Sequence, residues 1–296
     1  MSVPDVGALE RLVEAALAED VGSGDVTTLW TVPADHRSRA VVVAKEPMVV
    51  AGMECFQAVV ARVDPSVDVE VLHADGSRVD AGTVLARLAG PTRGILTAER
   101  TALNFLGRLS GVATLTARFV EAVSGTGVRV IDTRKTTPGW RALEKAAVRA
   151  GGGTNHRMGL HDMVLVKDNH ADAAGGVAEA ARAALASARE RATRDGAPRL
   201  EVEVEVRTLA ELEAVLPVGV DRILLDNMSL DTMRAAVERA RRPGETPPLL
   251  EASGNVALDT VGAIAATGVD LISVGALTHS ARVADISLRM VADDGG

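Results

Sequence analysis

Tyrosine is absent from this 296-residue chain; three phenylalanines and two tryptophans bring aromatic residues to only 2%. That scarcity removes the base-stacking platforms of single-strand nucleic-acid binders and the aromatic belts of membrane proteins. Positive charge is also in deficit: 32 Lys and Arg against 40 Asp and Glu leave a formal net charge of -8. A nucleic-acid partner would call for a basic surplus or stripe, so any cationic site must be local. The single cysteine, Cys55, allows no intramolecular disulfide and has no Cys or His ligand cluster around it, which points to a reducing compartment, by default the cytoplasm. No segment approaches the roughly 18 uninterrupted apolar residues of a membrane span, and the first twenty residues lack the basic start and apolar run of an export signal.

What is present is an alanine-, valine- and leucine-rich composition, 47% hydrophobic, long enough for one large domain or two ordinary ones. Val6, Leu9, Leu12, Val13, Ala16 and Leu17 recur at helical spacing, predicting an amphipathic helix over 6–19. Short β-rich runs follow at 40–44, 67–72 and 83–88, with a helix near 52–63, as in a small α+β domain. A long helical pattern over 95–123, with a break expected at Gly111, leads to a domain boundary at 115/116. Beyond it, six apolar runs alternate with amphipathic helices: VRVI at 128, MVLV at 163, VEVEV at 202, RILL at 222, LLEA at 249 and LISV at 271. Such β-α units form an open doubly wound sheet or a barrel, and in both cases ligands gather at the carboxyl ends of the strands.

Those ends carry Asp132, Thr133, Arg134 and Lys135; Lys167, Asp168 and Asn169; Glu205; Asp226 and Asn227; Ser253, Gly254 and Asn255; and Gly275. In EVEVEV, alternation puts Glu201, Glu203 and Glu205 on one face. Under helices such a face would cost several kcal/mol per unpaired carboxylate, so a barrel with a polar interior fits better, and an edge strand with a wet face is the alternative. Arg100, Arg134, Lys135, His156, Arg157 and Lys167 stand beside Gly, Thr or Asn and not on regular helical faces, a placement suited to a small ligand with several negative groups. Glu205 and Asp226, each at a strand end, could complete an octahedral magnesium site with waters and phosphate oxygens. The glycines 151–153 and Gly254 and Gly275 could cradle phosphate, a weak signal taken singly. His36, His73 and His279 read as surface or satisfied histidines and Cys55 as a packed side chain.

The segments EDVGSGDVTT at 19, TAERTALNFLGRLSG at 97, DTRKTTPGWRALEKAAVRAGGGTNHRMGLHDMVLVKDNH at 132, EVEVEV at 201, LLDNMS at 224, EASGNV at 251 and VDLISVGALTHSA at 269 resemble, in the same order, the quinolinate phosphoribosyltransferases. The resemblance spans nearly the whole chain. It implies an N-terminal α/β sandwich domain over 1–115 and a C-terminal open α/β barrel of about six to seven strands over 116–279, with the tail 280–296 packing back on the first domain. It further implies a homodimer, or a higher assembly, with shared active sites. The implied reaction is magnesium-dependent transfer of phosphoribosyl from phosphoribosyl pyrophosphate to the ring nitrogen of quinolinate, with loss of carbon dioxide, giving nicotinate mononucleotide. Residue by residue, quinolinate binding falls on Thr133, Arg134, Lys135, His156, Arg157 and Lys167, with Arg100 from the partner subunit. Magnesium and ribose binding fall on Glu205 and Asp226, with Glu203 the alternative to Glu205, and phosphate binding on Ser253, Gly254, Asn255, Gly275 and Ala276. Lys135 or Lys167 would assist decarboxylation. Trp140 stands where the family has a smaller aliphatic residue.

Two other chemistries compete: a relative with the same fold and a different base, and transfer to nicotinate without decarboxylation. Cations dedicated to a second carboxylate would be superfluous for nicotinate. A non-enzymatic binding module gives no reason for a carboxylate pair facing a cationic cluster.

Overall fold

The computed structural model describes residues 6–241 and 247–291, so the last five residues of the 280–296 tail lie outside the described residues. Its contacts divide into two compact units that no single cut in the sequence separates. One gathers residues 6–117, 136–152 and 277–291; the other gathers 118–135, 153–241 and 247–276.

The first unit opens with α1 (Val6–Asp20) and α2 (Val26–Thr31), the latter capped by Asp25, whose carboxylate accepts the Thr28 N–H at 3.0 Å. Then come β1 (Arg37–Ala44), β2 (Met48–Val49), α3 (Met53–Val63), β3 (Asp68–Val71), β4 (Arg78–Val79), β5 (Val84–Pro91) and the start of α4 (Thr92–Ala122). The N-terminus of α3 is met by Asp75, which accepts from Gly52 N at 2.9 Å and Met53 N at 3.0 Å. No break occurs at Gly111, which lies inside one continuous α4. A Cβ there would stand 1.9 Å from the Arg282 carbonyl oxygen, so this glycine admits a neighbouring backbone and does not end a helix.

The second unit carries β6 (Arg129–Ile131); after it α5 (Arg141–Ala150) belongs to the first unit. The barrel series then runs β7 (Val164–Val166), α6 (Asp168–Ala173), α7 (Val177–Asp195), β8 (Val202–Val206), α8 (Leu209–Val215), β9 (Arg222–Asp226), α9 (Leu230–Ala240), β10 (Leu249–Ser253), α10 (Val261–Ala265) and β11 (Leu271–Ser273), and α11 (Ala276–His279) passes into the first unit after its first residue. All six predicted strands are there, parallel, in the order β6-β11-β10-β9-β8-β7. The two edges are consecutive strands, so the barrel is open between them, and Thr154 adds a single parallel bridge to Ile131 on the β6 edge. The chain ends on β12 (Ile286–Val291), antiparallel to β1 from Ala44↔Ile286 to Arg39↔Val291, in a sheet ordered β12-β1-β5-β3.

Register explains the acid-rich strand. Glu203 stands opposite Arg222, Glu205 opposite Leu224, Glu251 opposite Leu224 and Ser253 opposite Asp226. Because side chains alternate, Glu203, Glu205, Arg222, Asp226, Glu251 and Ser253 share one face, the inside of the barrel. Val202, Val204, Val206, Ile223, Leu225, Leu250 and Ala252 take the other face, each fully buried. β8 is flanked by β7 and β9, so it is not an edge strand with a wet face.

Candidate active site

Six strand ends of the second unit deliver the polar residues. Beyond β6, the buried Asp132 accepts from His156 N at 2.9 Å and Asn155 Nδ2 at 2.6 Å, tying the loop before β7 to the β6 end. Next to it, Thr133 Oγ1 accepts the Lys135 N–H at 3.1 Å in a tight turn that leaves Arg134 and Lys135 exposed. Arg157 is half-buried, its Nη1 donating to the Met163 carbonyl at 3.2 Å. Its pKa is held below the ordinary guanidinium value by desolvation first and then by the like charge of Arg134. Two guanidiniums within electrostatic reach of each other, in a chain of net charge -8, suit an anion.

Across the rim, Lys167 Nζ donates to Glu205 Oε2 at 2.8 Å, the lysine side chain 47% exposed and the glutamate 9%. On the next strand, Asp226 accepts from Asn227 Nδ2 at 3.0 Å. Asn227 and Asn255 both hold left-handed backbone, at φ 51° and 48°, and Asn255 Nδ2 donates to Asn227 Oδ1 at 3.3 Å. A Cβ on Gly254, φ 105°, would meet that same Oδ1 at 2.1 Å, so the β9 and β10 loops fit together only with glycine there. Gly275 and Ala276 follow β11, both half-buried. Thr133, Arg134, Lys135, His156, Arg157, Lys167, Glu205, Asp226, Ser253, Gly254, Asn255, Gly275 and Ala276 thus all belong to the second unit, whereas Arg100 is exposed on α4 in the first.

His156 is buried, and its ring points at acids instead of standing open as a cation. Glu203 is fully buried beside it, whereas Glu205 reaches the rim. Glycines 151–153 are not a uniform loop: Gly151 closes α5, and a Cβ there would be 2.3 Å from the Ala113 carbonyl oxygen, a packing role. The sequence reading missed Glu251, which the register aligns with Glu203 and Glu205; a lone glutamate inside the apolar run LLEAS was the available signal. Cys55 is packed, and burial pushes its thiol up to about 12, so it is no nucleophile.

Glu205 and Asp226 fit a hard cation. Their carboxylates sit at the ends of adjacent strands on one face, each half-buried. Among the described residues the only trio of ligating side chains is His156, Glu203 and Glu251; Glu205 and Asp226 alone would supply only part of a coordination shell, leaving the rest to substrate oxygens and water.

An open α/β barrel whose rim sets paired guanidiniums against acidic strand ends defines an enzyme for small, multiply anionic substrates. Family models agree in detail: quinolinate phosphoribosyl transferase, N-terminal domain, matches residues 25–110, and quinolinate phosphoribosyl transferase, C-terminal domain, matches 112–289. The chain belongs to the quinolinate phosphoribosyltransferase family. It is 44% identical over 284 residues to the nicotinate-nucleotide pyrophosphorylase [carboxylating] of Mycobacterium leprae, covering 95% of this chain and 96% of that one. It is 42% identical to the chloroplastic enzyme of the same name from Arabidopsis thaliana, across 95% of this chain and 82% of that one. A solved nicotinate-nucleotide pyrophosphorylase from Francisella tularensis superposes with a TM-score of 0.89 at 39% identity, over 98% of both chains.

Proposed function

We infer that this protein is a carboxylating nicotinate-nucleotide pyrophosphorylase, joining quinolinate to the phosphoribosyl group of phosphoribosyl pyrophosphate and releasing pyrophosphate and carbon dioxide. Nicotinate mononucleotide is the product, a step of de novo NAD biosynthesis. The observation that carries the reading is the half-buried Arg157, within electrostatic reach of the exposed Arg134, in the same unit whose strand ends carry the Lys167–Glu205 ion pair.

Arg134 and Arg157, with Thr133, Lys135 and Lys167 around them and the buried His156 holding the Arg157 backbone from behind, take the two carboxylates of quinolinate and aim its ring nitrogen at the anomeric carbon. Glu205 and Asp226 bind the ribose hydroxyls and hold magnesium, which when bound neutralises the departing pyrophosphate oxygens. Ser253, Gly254, Asn255, Gly275 and Ala276 take the phosphate. As the bond to pyrophosphate breaks, positive charge grows at the anomeric carbon, and the Glu205 and Asp226 carboxylates stabilise it. Nitrogen attack makes the ring a cation; the electrons of the adjacent C–CO2 bond flow into it as carbon dioxide leaves, and the carbon left behind takes a proton with the help of Lys135 or Lys167. Arg100 completes the pocket from the second subunit of a homodimer, and the reaction belongs to the cytoplasm.

Purified protein supplied with quinolinate, phosphoribosyl pyrophosphate and magnesium should form nicotinate mononucleotide and carbon dioxide. Turnover of nicotinate with none of quinolinate would contradict the reading. Mixing Arg100→Ala with Lys167→Ala protein tests the shared site: partial recovery of activity is expected, and none after verified subunit exchange would oppose it.

A further inference from the structure

Lys167 occupies a position that helix chemistry would fill otherwise. It stands one residue past β7, whose pairing with β8 ends at Val166 opposite Val204, and it is the N-cap of α6. Ser, Thr, Asp or Asn is preferred there, because a side-chain oxygen accepts from the first turn. Lysine has only donors, and its charge meets the positive end of the helix dipole. A local rule broken at a rim residue is a sign of function, and it leaves the corner between strand and helix to be fixed by another group.

His170, exposed on α6, supplies that group. It is the third helical residue, and its Nδ1 accepts the Lys167 backbone N–H at 3.0 Å. An imidazole nitrogen that accepts carries no proton, so the ring proton sits on Nε2. In return the His170 N–H donates to the Lys167 carbonyl at 2.9 Å, as the Ala171 N–H does at 3.0 Å. Both polar groups of the Lys167 backbone are thus held by the first turn of α6. The ring makes the half of a capping box that Glu or Gln at the third position usually makes. With six residues, α6 is too short for its internal bonds alone to fix its start. The neighbouring Asp168 does not do so, since one of its oxygens turns back to accept the Asn169 N–H at 2.7 Å. From the backbone so fixed, the Lys167 stem carries Nζ to Glu205 Oε2 at 2.8 Å.

We propose that His170 is a positioning residue for the reaction: its ring locks the Lys167 backbone at the corner between β7 and α6, so that Nζ stands at the rim for both Glu205 and a carboxylate of the substrate. It acts through Lys167 and touches no reacting atom. The proposal rests on the reading of the rim as the quinolinate site, but its spectroscopic test does not.

Equilibrium binding of quinolinate and nuclear magnetic resonance of the full-length protein test it together. In mildly alkaline buffer the His170 ring should show an unprotonated Nδ1 and a protonated Nε2, and the Lys167 amide should exchange slowly. His170→Ala should speed that exchange and weaken quinolinate binding roughly fivefold, the size of a lost cap. His170→Gln, which returns an acceptor at the third helical position, should restore both. In a Lys167→Met background His170→Ala should change quinolinate binding no further, because its effect passes through Lys167; a merely structural residue would weaken both proteins alike. A Lys167 amide that exchanges as fast in the unmodified protein as in His170→Ala, an equal loss of binding in both backgrounds, or a folded His170→Gln that binds no better than His170→Ala would overturn the proposal. Should His170→Ala not fold, the ring tautomer and the Lys167 exchange of the unmodified protein decide the matter. Failure of the unmodified protein to bind quinolinate, with ring and amide as stated, would count against the functional reading alone.

Discussion

Glu144 and Glu251 are both glutamates with essentially no solvent exposure, yet the chain treats them in opposite ways. Glu144, on α5 in the first unit, accepts from Arg108 Nη2 at 2.7 Å and Nε at 3.2 Å, and from Thr137 N at 3.0 Å and Thr137 Oγ1 at 2.9 Å. Arg108 in turn donates to the carbonyls of Ala281, at 2.8 Å, and Thr278. This buried ion pair is saturated with partners and fastens α4, α5 and the start of the C-terminal segment to one another. Glu251, inside the barrel, has a like charge for a neighbour and an oxygen with no donor. A charge whose two oxygens both have donors serves architecture; one with an oxygen left short of a donor marks where the fold accepts a cost for chemistry.

Arg108→Leu should break the first half of that comparison most severely, removing about 3–5 kcal/mol of stability because it strands the Glu144 carboxylate in the core. Denaturant midpoints measure it; a change under 1 kcal/mol would mean that water reaches Glu144. Glu205→Gln should do the reverse. Its partner Lys167 is half exposed, so stability should move by less than about 1 kcal/mol, while turnover drops by roughly a hundredfold or more. Gly111→Ala should cost about 1–3 kcal/mol. The roughly 1 kcal/mol that alanine normally adds to a helix cannot offset a methyl 1.9 Å from the Arg282 carbonyl oxygen. Trp140→Leu should have the smallest effect beyond lost buried area, about 0.5–1.5 kcal/mol, from the stack on Phe105 with ring centroids 4.6 Å apart. A shift in quinolinate KM with that variant would show that the ring does more than pack.

The barrel was legible because its six apolar runs each map onto a strand, and EVEVEV declared a polar interior through its period of two. Gly111 was misread because a glycine that breaks a helix and one that admits a neighbouring backbone look alike in sequence; the Arg282 carbonyl that distinguishes them lies 171 residues further along the chain, at 282 against 111. The stretch 133–170 read as one continuous feature. Three contacts draw 136–152 into the first unit: the Glu144–Arg108 pair, the Trp140–Phe105 stack and the approach of Gly151 to Ala113. His156 was legible as a rim residue but not as a partner of Glu203 and Glu251, since that grouping depends on strand register.

The most direct measurement uses quinolinate isotopically labelled in the carboxylate beside the ring nitrogen, and counts label released as carbon dioxide against nicotinate mononucleotide formed. The account predicts one released label for each nucleotide, with no release when phosphoribosyl pyrophosphate is withheld. A nucleotide product that keeps the label, or release that proceeds without phosphoribosyl pyrophosphate, would contradict it.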